Sequence, residues 1–168
     1  TGTTTGTCSV TLLNGTHTIK GRIADTAGNE GTVSSYSYTL DTTAPALTLY
    51  SSSSSHTNQS SIPVSVVFNE QVTGFDFSHI SVINAGIGDF STSDGITYTF
   101  NIYTSTSIQG DIIISLSENM AEDLAGNRNS NSSSIAFNYD AIAPAVNITS
   151  SAQATTNASV VPVTITFS

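Results

Sequence analysis

The residues of this chain whose types could bind a metal are carboxylates and amides. The pattern D-x-A-G-N occurs twice, at residues 25–29 and 123–127, and further acids stand at Asp41, Glu70 and Asp140. Carboxylate and amide oxygens are the ligands that Ca²⁺ prefers, about six to eight of them per ion. The sequence contains neither an EF-hand loop nor a nonapeptide calcium repeat. A calcium site would therefore have to be assembled from separate loops that the fold brings together.

The residue patterns of catalytic sites and of other metal sites are absent from the sequence. His17, His56 and His79 are scattered without metal-ligand spacing, and Cys8 stands alone, so that it can form no internal disulfide. There is no G-x-S-x-G motif, no glycine-rich phosphate loop and no insertion that would build the cleft of a two-carboxylate glycosidase. The sequence therefore predicts a protein that is not an enzyme.

The charge balance excludes two classes of partner. The chain carries 3 basic and 12 acidic residues, with a formal net charge of −9. Nucleic acids and anionic lipid surfaces are bound by clustered Lys and Arg, which this sequence lacks. No apolar stretch approaches the roughly 20 residues that span a bilayer, and the sequence does not begin with a signal-peptide pattern. If the protein is exported, its signal peptide lies outside this segment.

The chain repeats itself with a period near 100 residues. "DTTAP" (41–45) returns as "DAIAP" (140–144), and "IPVSVVFN" (62–69) aligns without a gap with "VPVTITFS" (161–168), each 99 positions later. We therefore predict one complete repeat over residues 42–140. Residues 1–41 are predicted to be the C-terminal part of a preceding repeat, its last three strands, and residues 141–168 the first two strands of the next.

Alternation of apolar and polar residues predicts the elements that carry these loops. Period-2 patterns with turns at short intervals indicate antiparallel strands with one buried face. Asp89 and Asp94 flank a turn before the fifth strand. A repeat near 100 residues is the size of an immunoglobulin-like sandwich, so the predicted fold is all-β, a series of immunoglobulin-like antiparallel β-sandwich repeats. Strands are expected at 7–13, 17–24 and 32–40, then at 47–49, 62–68, 79–83, 88–92, 95–104, 110–117 and 134–139.

The motifs together resemble the bacterial Ig-like repeat domains of large extracellular adhesins. They are "DLAGN", "DTTAP", "IPVSVVFNE" and "VTGF", and the resemblance covers essentially the whole chain. It implies a bacterial cell-surface or extracellular location and tandem arrays of domains. It also implies calcium at the domain junctions, which is common among relatives.

An immunoglobulin-like strand order predicts where the acids meet. The loop after the second strand, with Glu70, and the loop after the sixth, with Asp123 and Asn127, lie at the pole where the chain enters the domain, beside Asp41 of the linker. We expect these four residues to form a Ca²⁺ site. Equivalent partial sites are expected at the neighbouring junctions: Asp25, Asn29 and Asp140.

A second interpretation of the same residues needs no metal. D-x-A-G-N is also typical of a tight turn, in which Gly126 adopts positive φ and Asp123 accepts hydrogen bonds from backbone N–H groups. Asp41 would then only end a strand. The sequence leaves both interpretations open.

The leading functional hypothesis is structural: a repeat segment of a secreted bacterial surface protein, either an adhesin stalk or a component of an extracellular filament or matrix. The alternatives are a carbohydrate-binding module, which would use Tyr103 and other exposed aromatic residues on surface glycans, and an Ig-like module attached to a secreted hydrolase. The Ser-rich segment 50–61 is expected to be either a solvated loop or a surface that bears O-glycans or contacts sugars.

The two partial repeats should each expose half of a core. Their partners are then neighbouring repeats of the same polypeptide, or other copies of the chain joined head to tail by strand complementation. The second arrangement does not close on itself and would build a filament.

Overall fold

The computed structural model describes residues 5–168, and in this range the chain is all-β with a single 3-10 turn at Phe77–His79. The strands are β1 (Gly15–Gly21), β2 (Ser34–Leu40), β3 (Leu47–Tyr50), β4 (His56–Thr57), β5 (Ser61–Phe68), β6 (Ile80–Ile83), β7 (Gly86–Thr92), β8 (Thr97–Tyr103), β9 (Gly110–Leu116), β10 (Ser133–Tyr139), β11 (Val146–Thr149) and β12 (Thr164–Phe167).

Strands β3 to β10 form an immunoglobulin-like sandwich, which confirms the predicted fold class. One sheet has the order β3-β5-β8-β7 and the other β4-β10-β9-β6. All seven strands predicted for the complete repeat are present. The short strand β4 was not predicted: it lies within the Ser-rich segment 50–61 and pairs parallel with the end of β10. β3 and β4 are consecutive parts of the first strand of the domain, so this strand joins one sheet through β3 and the other sheet through β4.

The core lies between the two sheets and is built by the alternation seen in the sequence. Phe75, which follows β5, packs against Phe68 and Tyr98 with ring centroids 5.5 and 4.9 Å apart. Burial of these apolar side chains supplies the main stabilisation of the domain. The buried residues of this core are Leu47, Leu49, Ile62, Val64, Val66, Phe68, Val72, Phe75, Ile80, Tyr98, Phe100, Ile102, Ile112, Ile114, Leu116, Ala121, Phe137 and Tyr139.

Two hairpins flank the sandwich and repeat its internal pairings. In β11–β12, Val146 faces Phe167, as Leu47 faces Phe68 in β3–β5, 99 positions earlier. In β1–β2, all seven residues of each strand are paired, with Gly15 opposite Leu40, and β9–β10 has the same register with Gly110 opposite Tyr139. The second hairpin therefore repeats the register of β3–β5 at the 99-residue period of the sequence, and the first repeats the seven-residue antiparallel pairing of β9–β10 with a shorter loop.

The prediction of a third strand in the first 41 residues is wrong. Residues 7–13 form no strand, and residues 1–4 of that predicted partial repeat lie outside the described residues. The equivalent strand of the sandwich, β8, is hydrogen-bonded to β5 on one side and β7 on the other. Residues 5–41 contain no counterpart of either neighbour, so the apolar residues at 7–13 have no sheet to join.

Within the described residues, no helix has the length and apolar character needed to cross a membrane.

Candidate functional site

The D-x-A-G-N segment at residues 123–127 forms a tight loop between β9 and β10. Asp123 Oδ1 accepts hydrogen bonds from the backbone N–H groups of Ala125 at 2.8 Å and Asn127 at 2.9 Å, and Gly126 has φ of +90°. Asp123 Oδ2 accepts from Asn127 Nδ2 at 2.8 Å. These bonds are those of the turn interpretation, and they hold the Asp123 carboxylate rigidly with only 5% of the residue exposed.

The same loop is formed at residues 25–29. Asp25 Oδ1 accepts from the N–H groups of Ala27 at 3.0 Å and Asn29 at 2.8 Å, and Asp25 Oδ2 accepts from Asn29 Nδ2 at 2.8 Å. The motif therefore specifies one local geometry in two places.

Backbone pairing between two loops places Glu70 near Asp123. Thr73, in the segment that follows β5, exchanges backbone hydrogen bonds of 2.7 and 3.0 Å with Glu122. Asp41 approaches the same pole from the linker between β2 and β3. Carboxylate oxygens of Asp41, Glu70 and Asp123 all lie within 4.8 Å of one another. The structure thus brings together three of the four residues from which the sequence predicted a cation site.

Asn127, the fourth residue, is oriented differently from the expectation. Its Nδ2 group donates to Asp123 Oδ2 at 2.8 Å and to the backbone oxygen of Asp41 at 3.1 Å. The amide nitrogen, rather than the oxygen, therefore faces the acids. In this arrangement Asn127 positions the ligands and ties the linker to the loop.

The cluster is strongly acidic. Partial burial raises the pKa of Glu70, and the nearby charges of Asp123 and Asp41 raise it further. The hydrogen bond from the Asn127 side chain, followed by backbone donors of the loop, lowers the pKa of Asp123. Among residues 5–168 the ion pairs are Arg22–Glu30, His79–Asp76 and Arg128–Glu122, so no basic side chain of that range neutralises the cluster.

The predicted partial sites do not form clusters of their own. Asp25 and Asn29 reproduce the loop, and Asp140 Oδ1 accepts from the N–H of Ile142 at 2.9 Å, as Asp41 Oδ1 accepts from that of Thr43. In the part of the chain that the structure describes, Asp41, Glu70 and Asp123 form the one such group of acids.

The linker at residues 41–43 is held from both sides. From the loop before β1, Asn14 Oδ1 accepts from the N–H of Thr42 at 2.8 Å, and Asn14 Nδ2 donates to Thr43 Oγ1 at 2.9 Å. Asn127 binds the backbone oxygen of Asp41 from the other side. The side-chain amides of Asn14 and Asn127 thus tie the linker to the first hairpin and to the sandwich, and the sequence analysis assigned no role to Asn14.

The described fold agrees with one comparison with known proteins. A family model described as a bacterial Ig-like domain matches residues 41–139. The chain belongs to this family. A search of curated proteins finds no match. The matched range of the Ig-like domain starts at Asp41 and ends at the last residue of β10, so it comprises the whole sandwich and all three clustered acids. Domains of this family are generally non-catalytic structural or surface modules.

Sequence reasoning also missed Asn129, a fully buried residue in the Ig-like domain. Its Oδ1 accepts from the N–H groups of Met120 at 2.7 Å and Ala121 at 3.0 Å, and its Nδ2 donates to the backbone oxygens of Ser117 and Asn131 at 3.1 and 3.0 Å. It lies in a segment rich in Asn and Ser, where nothing in the composition distinguishes a buried amide from a solvated one.

Proposed function

We propose that the chain is a tandem-repeat segment of a secreted bacterial surface protein, in which it acts as a stalk or spacer and has no catalytic role. The repetition of strand pairings of the sandwich on both sides of a complete Ig-like domain carries this proposal. Each flanking hairpin reproduces one pair of strands of the central sandwich, as expected of consecutive domains. The match to the bacterial Ig-like family supports the same conclusion.

Surface exposure can be tested on the native cells. An antiserum raised against residues 41–140 should label intact cells or their extracellular matrix, and brief protease treatment of intact cells should remove the labelling. A denaturing immunoblot reports the mass of the whole polypeptide. Antigen that becomes accessible only after lysis would contradict the proposal.

The proposed partners of the hairpins are complementary strands of neighbouring repeats. Tyr36 is 72% exposed on the first hairpin, and Ile148 and Phe167 are 64% and 75% exposed on the second. Exposed apolar strand faces of this kind are stabilised by burial against a second sheet. The covering strands belong either to the same polypeptide or to another copy joined head to tail. Denaturing mass measurement separates the two cases, since only the second gives units of 17.4 kDa.

A second part of the proposal concerns the junction, where Ca²⁺ would be bound by Asp41, Glu70 and Asp123. Three hard carboxylates within 4.8 Å of one another fit the ligand preference of this ion. Asn127 fits as the residue that positions Asp123 and the linker, because its nitrogen faces the acids. A cation here would connect the linker to two loops of the following Ig-like domain and stiffen the junction.

Calorimetry of the 168-residue chain in CaCl₂ and in EGTA tests the calcium proposal. Binding to the folded state alone adds about 2.7 kcal/mol at 100 times Kd, so the melting temperature should rise with calcium. Glu70→Gln should abolish most of this rise, whereas Asp140→Asn, which changes an acid outside the cluster, should leave it intact. Identical melting in CaCl₂ and EGTA would rule out the calcium site without affecting the spacer proposal.

A further inference from the structure

An irregularity in β7 brings an acidic side chain to the outer face of a sheet. Gly88 pairs with Asn101 and Ser91 pairs with Thr99, so two residues of β7, Asp89 and Phe90, lie opposite the single residue between their partners on β8. Phe90 packs against the core. Asp89 is the additional residue of this β-bulge and has φ of +56°, a left-handed conformation that, apart from glycine, is adopted mainly by Asn and Asp.

The bulge directs the Asp89 carboxylate onto two side chains of β8. Asp89 Oδ2 accepts a hydrogen bond from Asn101 Nδ2 at 2.9 Å and another from the hydroxyl of Tyr103. These two donors lower the pKa of Asp89, and the bond to the carboxylate raises the pKa of the Tyr103 phenol, so the acid is ionised and the phenol is neutral at pH 7. Among the described residues, no side chain and no turn N–H group donates a hydrogen bond to Asp89 Oδ1.

The ring of Tyr103 lies directly over Gly88. A Cβ atom on Gly88 would stand 2.9 Å from Tyr103 Cε2, so only glycine allows the ring this close approach to the strand. The outward neighbours in the paired strands are small, with Ser61 and Gly86 opposite Tyr103 and Pro63 opposite Asn101. Tyr103 is therefore 43% exposed, and its ring stands above a surface of small residues. The carboxylate of Asp89 and the amide of Asn101 flank the ring.

We propose that Tyr103, Asp89 and Asn101 form a binding site for a neutral oligosaccharide. An exposed aromatic ring offers an apolar surface to the C–H face of a pyranose, and an ionised carboxylate accepts strong hydrogen bonds from hydroxyl groups. The acidic surface, with its net charge of −9, disfavours anionic sugars. This inference goes beyond the spacer role and does not depend on it, because the site lies entirely on the outer face of one sheet.

Tyr50 is an exposed tyrosine of the same sheet that lacks these surroundings. It lies at the end of β3 in the same sheet, is 48% exposed and forms no side-chain hydrogen bond with any described residue. Of the two tyrosines, only Tyr103 lies beside a β-bulge, an aspartate with positive φ and a glycine beneath its ring. Such local features cluster at sites that bind ligands, and Tyr50 supplies a matched control.

The test is an NMR titration of the ¹⁵N-labelled chain with four neutral sugars: cellohexaose, laminarihexaose, mannohexaose and maltohexaose. Each is added to about 5 mM, because a small exposed site of this kind is expected to have a Kd of about 1 mM. At least one of these sugars should shift the amide signals of Gly88, Asp89, Asn101 and Tyr103. Hexagalacturonic acid, the anionic probe, should bind at least about tenfold more weakly.

Variants assign the binding to the ring. Tyr103→Ala should weaken it by about tenfold or more, Tyr103→Phe by about two- to threefold because the ring remains, and Tyr50→Ala should leave it unchanged. The amide spectrum of each variant reports whether it is folded. The proposal is overturned if none of the neutral hexasaccharides shifts these four amides, or if Tyr50→Ala weakens binding as much as Tyr103→Ala does.

Discussion

Asn129 shapes the loop that carries the candidate cation site. The residue is fully buried, and its amide satisfies four backbone groups on both sides of the loop. Removing a buried partner leaves each of those groups without a hydrogen bond, at about 1–3 kcal/mol for an unsatisfied group. We expect Asn129→Ala to lower the free energy of unfolding by about 3 kcal/mol, because water entering the cavity restores only part of the bonding.

Urea denaturation measures this difference, with Asn138→Ala as the control. Asn138 is exposed, and its Nδ2 donates to Asp111 Oδ1 on the surface at 3.1 Å, so its loss should change stability by no more than about 0.5 kcal/mol. Equal effects of the two substitutions would show that the buried network does not stabilise the loop.

Glu70 should destabilise the cation-free domain at neutral pH. Its pKa is raised in the folded state, so its contribution to stability is present below the usual value of 4.5 and is lost as pH rises through the folded value. Glu70→Gln should therefore increase the free energy of unfolding at pH 7 in EGTA by about 0.5 kcal/mol, and the gain should disappear below pH 4.5. With calcium bound, the wild type should instead have the larger free energy of unfolding of the two proteins.

Asp123→Asn is the complementary measurement, since the pKa of Asp123 is lowered by folding. Its contribution is present above its usual value of 3.8 and is lost as pH falls through the folded value. This variant should be less stable than the wild type at pH 7, with or without calcium. Parallel pH profiles for the Glu70 and Asp123 variants would mean that the two acids do not occupy the different environments described above.

At the scale of elements, the D-x-A-G-N loop depends on the conformation of one glycine. Gly126 has φ of +90°, and a Cβ atom there would meet nothing within 4 Å, so backbone strain alone opposes a side chain. Gly126→Ala should lower the free energy of unfolding by about 1–2 kcal/mol. The control is Gly86→Ala in β7, where φ is ordinary and the nearest atom to the added Cβ is 3.8 Å away. Thermal denaturation of both variants should show destabilisation only for Gly126→Ala.

The strands were predictable from the sequence where alternation is strong and both neighbouring strands are present. β5 and β8 are examples, since their inward residues are all apolar and the outward residues are mostly polar. β4 was missed because a two-residue strand in a Ser-rich segment has no period to detect. The bulge in β7 was missed because Asp89, next to a turn, has the sequence pattern of an ordinary turn acid.

The candidate site was predictable for a different reason. Strand order alone places the loops after β5 and β9 at one pole, which was sufficient to bring Glu70 and Asp123 together. Side-chain orientation was not accessible in the same way, because the rotation of the Asn127 amide depends on the position of a backbone oxygen in the linker. The role of Asn14 depends likewise on a tertiary contact across 28 residues.

At the scale of the whole molecule, the sandwich should fold without the hairpins. Every buried apolar residue among residues 5–168 lies between Pro45 and Tyr139, so a fragment of residues 38–140 should unfold cooperatively within about 1 kcal/mol of the main transition of the 168-residue chain. A fragment of residues 52–140, which lacks β3, loses Leu47, Leu49 and the bonds of Asn131 to the backbone of Leu47, and should not fold. Asp41→Ala in the longer fragment should preserve melting in EGTA and abolish the rise with CaCl₂. Calorimetry of these four proteins tests the prediction: a fragment of residues 38–140 without a cooperative transition would mean that the hairpins are integral parts of one folding unit.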